Sequence, residues 1–375
     1  MMLRSKALSC AVLALSLALS FALSLPLTPV AHAGLMCARP LIVHEWGVQV
    51  FGPDGAALPG EPLPDFFHGP GKTLAFTPQV PVRDLPRDNG MRELPVMHFY
   101  SPAAAAGYTA TVPFALDVGF AKGHATSWFP DADQLGSGPK QLIWSRLDLL
   151  PTPTFAPAKT TTAWVERARQ VPGLWVNSAR ESERFVFYEG RTREQVPLVI
   201  RRAAGWTQTA RKLEIANVGG HPVHDVMFVQ REGKLTRVHH FADIQPGRSV
   251  AFDLDQSVVT DVAAATRGAL DKALVDARAP LPAADAWDRS TCVMDRDPAV
   301  AFSRADGHRL YRAEVDLLLS VWGERFFGGD GTRIVYREDT AYLDEVMPVS
   351  LYTDMYNYIM LQRAGLVLWS GVVLP

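Results

Sequence analysis

The chain has 375 residues, 48% of them hydrophobic and 20% charged, with a formal net charge of -2. That balance is ordinary for a globular protein and excludes wholesale disorder and a multi-span membrane protein; without a basic excess, nothing points to nucleic acid as a partner. The length gives room for about two domains and a sizeable core.

Residues 1–33 read as a secretory signal. A basic start (Arg4, Lys6) precedes an apolar run over 7–27, and Ala31-His32-Ala33 forms an A-x-A cleavage site that places the mature start at Gly34. The run approaches bilayer-spanning length, so an uncleaved anchor is the alternative; Pro26 and the A-x-A site favour cleavage. Met36 is too large for a lipoprotein processing site before Cys37. After signal removal no transmembrane span is expected, since the apolar stretch at 365–375 is too short. The expected location is the periplasm or the medium. Cys37 and Cys292 remain once Cys10 leaves with the signal, and an even count in an oxidising compartment favours a disulfide over two separately buried thiols.

Residues 34–150 are expected to form a Pro/Gly-rich β domain. Pro and Gly up to about 110 exclude long helices, and 41–43, 96–100, 108–120 and 141–149 read as strands. Pro151, Pro153 and Pro157 suggest a linker. Residues 158–257 are expected to be a β-sandwich of immunoglobulin-like type, with short strands at 185–188, 213–218, 223–231, 234–241 and 249–254 separated by turn residues. Glu232-Gly233 reads as the two-residue turn of a hairpin, and Gln245-Pro246-Gly247-Arg248 as another turn. In 258–375 the period changes to an α+β segment: helices at 261–279, 310–327 and 339–347, strands at 332–337 and 356–368. The fold class is therefore mainly β with an α+β C-terminal part.

His44-Glu45-Trp46-Gly47 follows the first strand-like run. Adjacent side chains of an extended chain point to opposite faces, so His44 and Glu45 share a site only if the chain turns, which Gly47 would permit. A zinc-protease motif needs His at 48, where Val48 stands. The functional reading is a hydrolase whose acid-base pair is His44 and Glu45, with Glu93 or Glu189 brought near, and Trp46 as a binding residue. The structural reading packs Trp46 in the core and pairs Glu45 with an arginine.

In the hairpin, a turn at Glu232-Gly233 sets Asp225 opposite His240 and His224 opposite Phe241. His224 and His239 then lie diagonally on one face, a candidate metal pair, although zinc needs three or four ligands. Gly69-Pro70-Gly71-Lys72-Thr73 fails as a phosphate loop because Phe66 stands where its first Gly belongs. Asp131 to Gly136 fails as an EF-hand because Leu135 and Leu142 occupy ligand positions. No G-x-S-x-G elbow occurs, and no motif requires a cofactor.

The His-Glu-Trp-Gly opening resembles the signature of an uncharacterised family of exported bacterial proteins. Glu93-Leu94-Pro95-Val96-Met97-His98-Phe99-Tyr100-Ser101 is similar to that family's "ETPV-x-x-FYS"-like segment. Ser127-Trp128-Phe129-Pro130, Phe187-Tyr188-Glu189-Gly190 and Gly331-Thr332-Arg333-Ile334-Val335-Tyr336 look like further parts of the set. The chain departs from the pattern at Val48, where the family usually has Thr. The resemblance implies homology and export and supplies no reaction. The sequence therefore points to an exported protein of binding or structural type, with an envelope protein or glycan as the partner class; a hydrolase and a metal binder are the alternatives.

Overall fold

The computed structural model describes residues 41–55, 63–75, 90–100, 112–136, 138–256, 258–276, 300–301, 305–353 and 359–375. The expected signal at 1–33 and both Cys37 and Cys292 lie outside the described residues.

A nine-stranded sheet organises the molecule. Its strands in chain order are β1 (Leu41–Phe51), β2 (Gly90–Tyr100), β3 (Gly123–Phe129), β4 (Val186–Thr192), β5 (Val223–Glu232), β6 (Leu235–Ile244), β7 (Val258–Val259), β8 (Gly331–Glu338) and β9 (Ile359–Ser370). Across the sheet they run β7-β6-β5-β8-β9-β1-β2-β4-β3. Strand β1 pairs in parallel with β9 and antiparallel with β2, at the centre of the sheet. It is covered on both faces, so apolar residues of Leu-Ile-Val-His-Glu-Trp-Gly-Val-Gln-Val-Phe fall on both faces instead of alternating with exposed polar ones, and its polar His44, Glu45 and Gln49 are buried as well.

One face carries helices α1 (Ala163–Ala168), α2 (Val262–Leu274) and α3 (Arg312–Phe327). Trp46 and Val50 from β1 pack there with Trp164, Leu274, Leu318 and Trp322. The other face carries two smaller sheets. A seven-stranded sheet built around Val112–Gly119 and Gln141–Leu150 shares a core with Val43, Met97 and Tyr188. A three-stranded sheet of Leu198–Arg202, Lys212–Asn217 and Ser249–Asp253 shares another with Phe51, Phe228 and Tyr336. Helix α4 (Thr340–Val346) follows β8. Among the described residues no helix is long and apolar enough to cross a membrane.

The mainly β expectation holds, with helices and strands mixed in the C-terminal part as read. The serial division into 34–150, 158–257 and 258–375 does not: all three segments contribute strands to the nine-stranded sheet, and Ala38–Pro375 is one compact unit. The cause is the β1–β9 pairing, a contact between chain ends that local periodicity carries no trace of.

The hairpin register also differs. Glu232 pairs with Leu235, so the turn is Gly233-Lys234, with Gly233 at φ 58° in the first central position, where a type II′ turn wants glycine. Phe228 therefore opposes His239 and His224 opposes Asp243. Asp225, at φ 50°, sits in a bulge where β5 shifts register against β8, and its carboxylate accepts from Arg337 Nε at 2.9 Å instead of meeting His240.

Candidate functional site

Strand β1 stays extended through the His-Glu-Trp-Gly segment, so its side chains alternate. His44 faces the helical side. Its Nδ1 lies 2.6 Å from Glu314 Oε2, and the same oxygen accepts the Tyr311 backbone N–H at 2.8 Å. His98, directly opposite His44 on β2, brings Nδ1 to 3.5 Å from Glu314 Oε1. The rings of Tyr100 and Tyr311 close over His44 with centroids 5.3 and 4.5 Å away. Glu314 is wholly buried; burial by itself raises its carboxyl pKa, but the charge and hydrogen bonding of His44, with His98 behind it, hold it at about 2. This is a carboxylate built to stay ionised inside the core.

Glu45 faces the other way. Arg363 on β9 donates to it through Nε at 2.5 Å and Nη2 at 3.1 Å. The guanidinium also reaches Asp344 at 2.8 Å and the Met347 carbonyl at 2.9 Å, and its pKa is raised, burial being outweighed by Glu45. The cavity beside Glu45 and Gly47 holds about 10 Å³, the space of a single water at most. Trp46 is 1% exposed and lies in the helical-side core. The structure thus places His44 and Glu45 in two separate ion-pair clusters on opposite faces, and the turn at Gly47 that one shared site needs is not made.

The partners Glu314, His98, Asp344 and Arg363 were not singled out by the sequence. The available signals were an acidic residue three positions after Tyr311 at a helix start, where its side chain returns to the N-cap N–H, and a polar His98 inside the apolar run 96–100. Of the further acids considered, Glu189 lies on β4, accepts from Thr126 Oγ1 at 3.4 Å, and has its pKa pushed up to about 7 by burial. Glu93 lies opposite Val48 in the β1–β2 register.

The metal site expected at His224 and His239 is not assembled. His224 puts Nδ1 2.5 Å from Asp243 Oδ1 and Nε2 3.0 Å from Asp339 Oδ2, so two carboxylates occupy its ring nitrogens. His239 packs among Phe228, Phe241 and Phe252, the last at 4.2 Å, and burial lowers its pKa to about 4. Among the described residues no group of three or more His, Cys, Asp or Glu is arranged to hold a metal.

A larger concave feature lies elsewhere among the described residues. A cleft of about 270 Å³ opens among the segments 195–197 and 218–223, β1, β8 and the start of α4. It is lined by buried Gln49 of β1 and Tyr336 and Glu338 of β8, with Pro197, His221, Asp339 and Tyr342, and the rings of His221 and Tyr342 pack together with centroids 5.2 Å apart. Gln49, Tyr336 and Glu338 are buried and Gln195, Val218 and Gly220 at the rim are exposed.

No family model matches the chain, and no curated protein matches it. Among solved structures it is similar to the Mu homology domain of zebrafish (Danio rerio) Fcho1 with bound Eps15 peptide, at 6% identity and a TM-score of 0.32, over 90% of this chain and 96% of that one.

Proposed function

We propose that the chain is an exported protein of binding or structural type, acting in the periplasm or outside the cell on an envelope protein or glycan. Its face-to-face sheets are, in the same proposal, β-sandwich modules of immunoglobulin-like kind, and it is a member of the exported family whose signature is His-Glu-Trp-Gly. The observation that carries the reading is the fate of that signature: His44 and Glu45, the best sequence candidates for acid-base chemistry, are spent as buried struts on opposite faces, and the cavity beside Glu45 is too small for substrate. A hydrolase of the kind considered needs both in one concave pocket. One open feature, the cleft at Gln49 and Tyr342, has a mixed polar and aromatic lining.

The test is co-sedimentation of the purified exported protein with isolated cell-wall sacculi and with membrane fractions from the producing cell, together with N-terminal sequencing. The proposal expects the mature chain to begin at Gly34 and to pellet with one envelope fraction while releasing nothing soluble from it. Recovery entirely in the supernatant, or soluble fragments appearing with time, would count against it.

A further inference from the structure

The three-stranded sheet ends in an open edge. Its Leu198–Arg202 strand pairs on one side only, with Lys212–Asn217. The bonds from the Val218 N–H to the Pro197 carbonyl and from the Ala203 N–H to the Lys212 carbonyl bracket that ladder, so the pairs Val199–Ala216 and Arg201–Glu214 between them are the hydrogen-bonded ones. Leu198, Ile200 and Arg202 therefore turn their backbone N–H and C=O groups outward, where no described residue pairs with them. The strand is held in this shape from behind: Leu198 is buried, and Ile200 packs against the core of Phe51, Phe228 and Tyr336. An extended segment that adds here meets an edge already ordered, and only its own freedom is lost.

Two features say what such a segment carries. On the outer face of the sheet Val199 and Val218 are diagonal neighbours across the ladder, 42% and 64% exposed, which fits apolar side chains on the added strand. At the far end Arg202 is exposed, with its guanidinium 3.8 Å from the Trp206 ring centroid. Among the described residues Arg202 has no ion-pair partner, whereas Arg201 is committed to Glu214 at 2.9 Å. Stacking fixes the guanidinium plane and leaves its N–H edge to donate to a carboxylate. A second copy of this chain fits less well: antiparallel self-pairing centred on Ile200 satisfies the outward backbone groups but sets Leu198, not an acid, opposite Arg202. We infer that the 198–202 edge takes an extended segment of a partner protein by strand addition, with apolar side chains against Val199 and Val218 and a carboxylate on Arg202. The inference rests on the binding reading above and makes the partner a protein.

Fluorescence anisotropy of the exported protein with a short labelled peptide of alternating valine and threonine tests it. Glutamate at each end lets either strand direction present an acid to Arg202, and the lysine-ended peptide is the charge control. The glutamate-ended peptide is expected to bind, and at least tenfold more weakly to Ile200→Pro and to Arg202→Glu, the latter gaining affinity for the lysine-ended one. The Ile200 N–H faces outward, so proline there removes an edge donor without breaking the protein's own ladder. Ala251→Pro makes the same change on the opposite edge strand, Ser249–Asp253, and is expected to bind as wild type does. Equal melting temperatures are the fold control, and Arg202→Glu keeps the test alive if Ile200→Pro does not fold. No binding of the glutamate-ended peptide, or binding unchanged in Ile200→Pro and Arg202→Glu, or lost equally in Ala251→Pro, overturns the site. Equal affinity of the wild type for both peptides overturns the acidic chemistry. A dimer in ultracentrifugation that Ile200→Pro abolishes overturns the partner class in favour of a second copy. Pelleting with an envelope fraction in the absence of peptide binding overturns this inference and leaves the broader reading standing; peptide binding without pelleting does the reverse.

Discussion

At the scale of single residues, the signature is a lesson in what burial does to charge. Glu45 and Arg363 form a two-point ion pair at 5% and 0% side-chain exposure. Breaking a buried pair from one side strands the other charge, which typically costs about 3–5 kcal/mol. Glu45→Gln and His44→Ala are therefore each expected to lower unfolding free energy by about that much in urea titration, the first tempered by Asp344, which stays on Arg363. A catalytic role predicts the opposite pattern, full stability with lost turnover. Two carboxyls give pH signatures of opposite sign. Glu314, held at about 2 against an ordinary 4.5, stabilises the fold fully above about pH 4.5, and that contribution disappears as pH falls toward 2. Glu189, pushed up to about 7, is neutral in the fold and charged in the unfolded chain between the two values, so stability declines as pH rises from about 4.5 to 7. Denaturation midpoints from pH 3 to 8 should show Glu314→Gln with a weakened acid slope and Glu189→Gln with a weakened loss above pH 5. At pH 8 the latter is expected to exceed wild type, by an amount on the order of 2 kcal/mol. An unchanged slope in either variant would remove that carboxyl from the account.

At the scale of elements, close backbone approach replaces side-chain chemistry. On β3, a Cβ at Gly123 would overlap the carbonyl of Arg191 on the facing β4 strand, and at Gly190 it would overlap the Phe120 ring. Backbone cannot step aside as a flexible side chain can, so Gly123→Ala is expected to cost about 1–3 kcal/mol, as overpacking does, and to expose the sheet edge. Hydrogen exchange should show β3 amides losing protection before those of β1. The same contrast explains what was legible. Helix α3, helix α4 and strands β8 and β9 were readable within a few residues because apolar spacing, Gly328-Gly329 and turn residues are local signals. Strand β3 was missed because Gly-His-Ala-Thr-Ser-Trp-Phe carries little alternation, and α1 because six residues after a Pro-rich stretch show less than two turns of period. The hairpin was found but registered two residues off in its opposing pairs, since Gly233 fits either central position of a two-residue turn until the fold chooses. The candidate site fared worst. His44 and Glu45 were visible as a cluster, yet their partners Glu314 and Arg363 lie 270 and 318 residues away, and nothing local announces a contact of that separation.

At the scale of the whole molecule, the central sheet decides how the protein can come apart. A chain of this size ordinarily splits into domains that unfold separately. Here β1, from the start of the described chain, is clamped between β2 and β9, and β9 is nearly the last segment, so no cut along the sequence leaves a complete sheet on either side. Both faces depend on it: the helical layer buries Trp164 and Trp322, while the seven-stranded sheet buries Trp128 and Trp144. These tryptophans report on the two layers independently. Removing the helical-side pair by Trp164→Phe and Trp322→Phe shifts the fluorescence weight toward the seven-stranded layer; Trp128→Phe and Trp144→Phe do the reverse. If the shared sheet couples the layers, each double variant will show fluorescence and far-ultraviolet circular dichroism transitions that coincide in urea, whatever its own midpoint. Deletion of residues 359–375, which removes β9 and leaves every helix sequence intact, will abolish the cooperative transition in both layers. Two separated transitions, or a β9 deletion that keeps native fluorescence in either layer, would mean that the layers fold independently and that the serial division of the chain describes its energetics better than its sheet does.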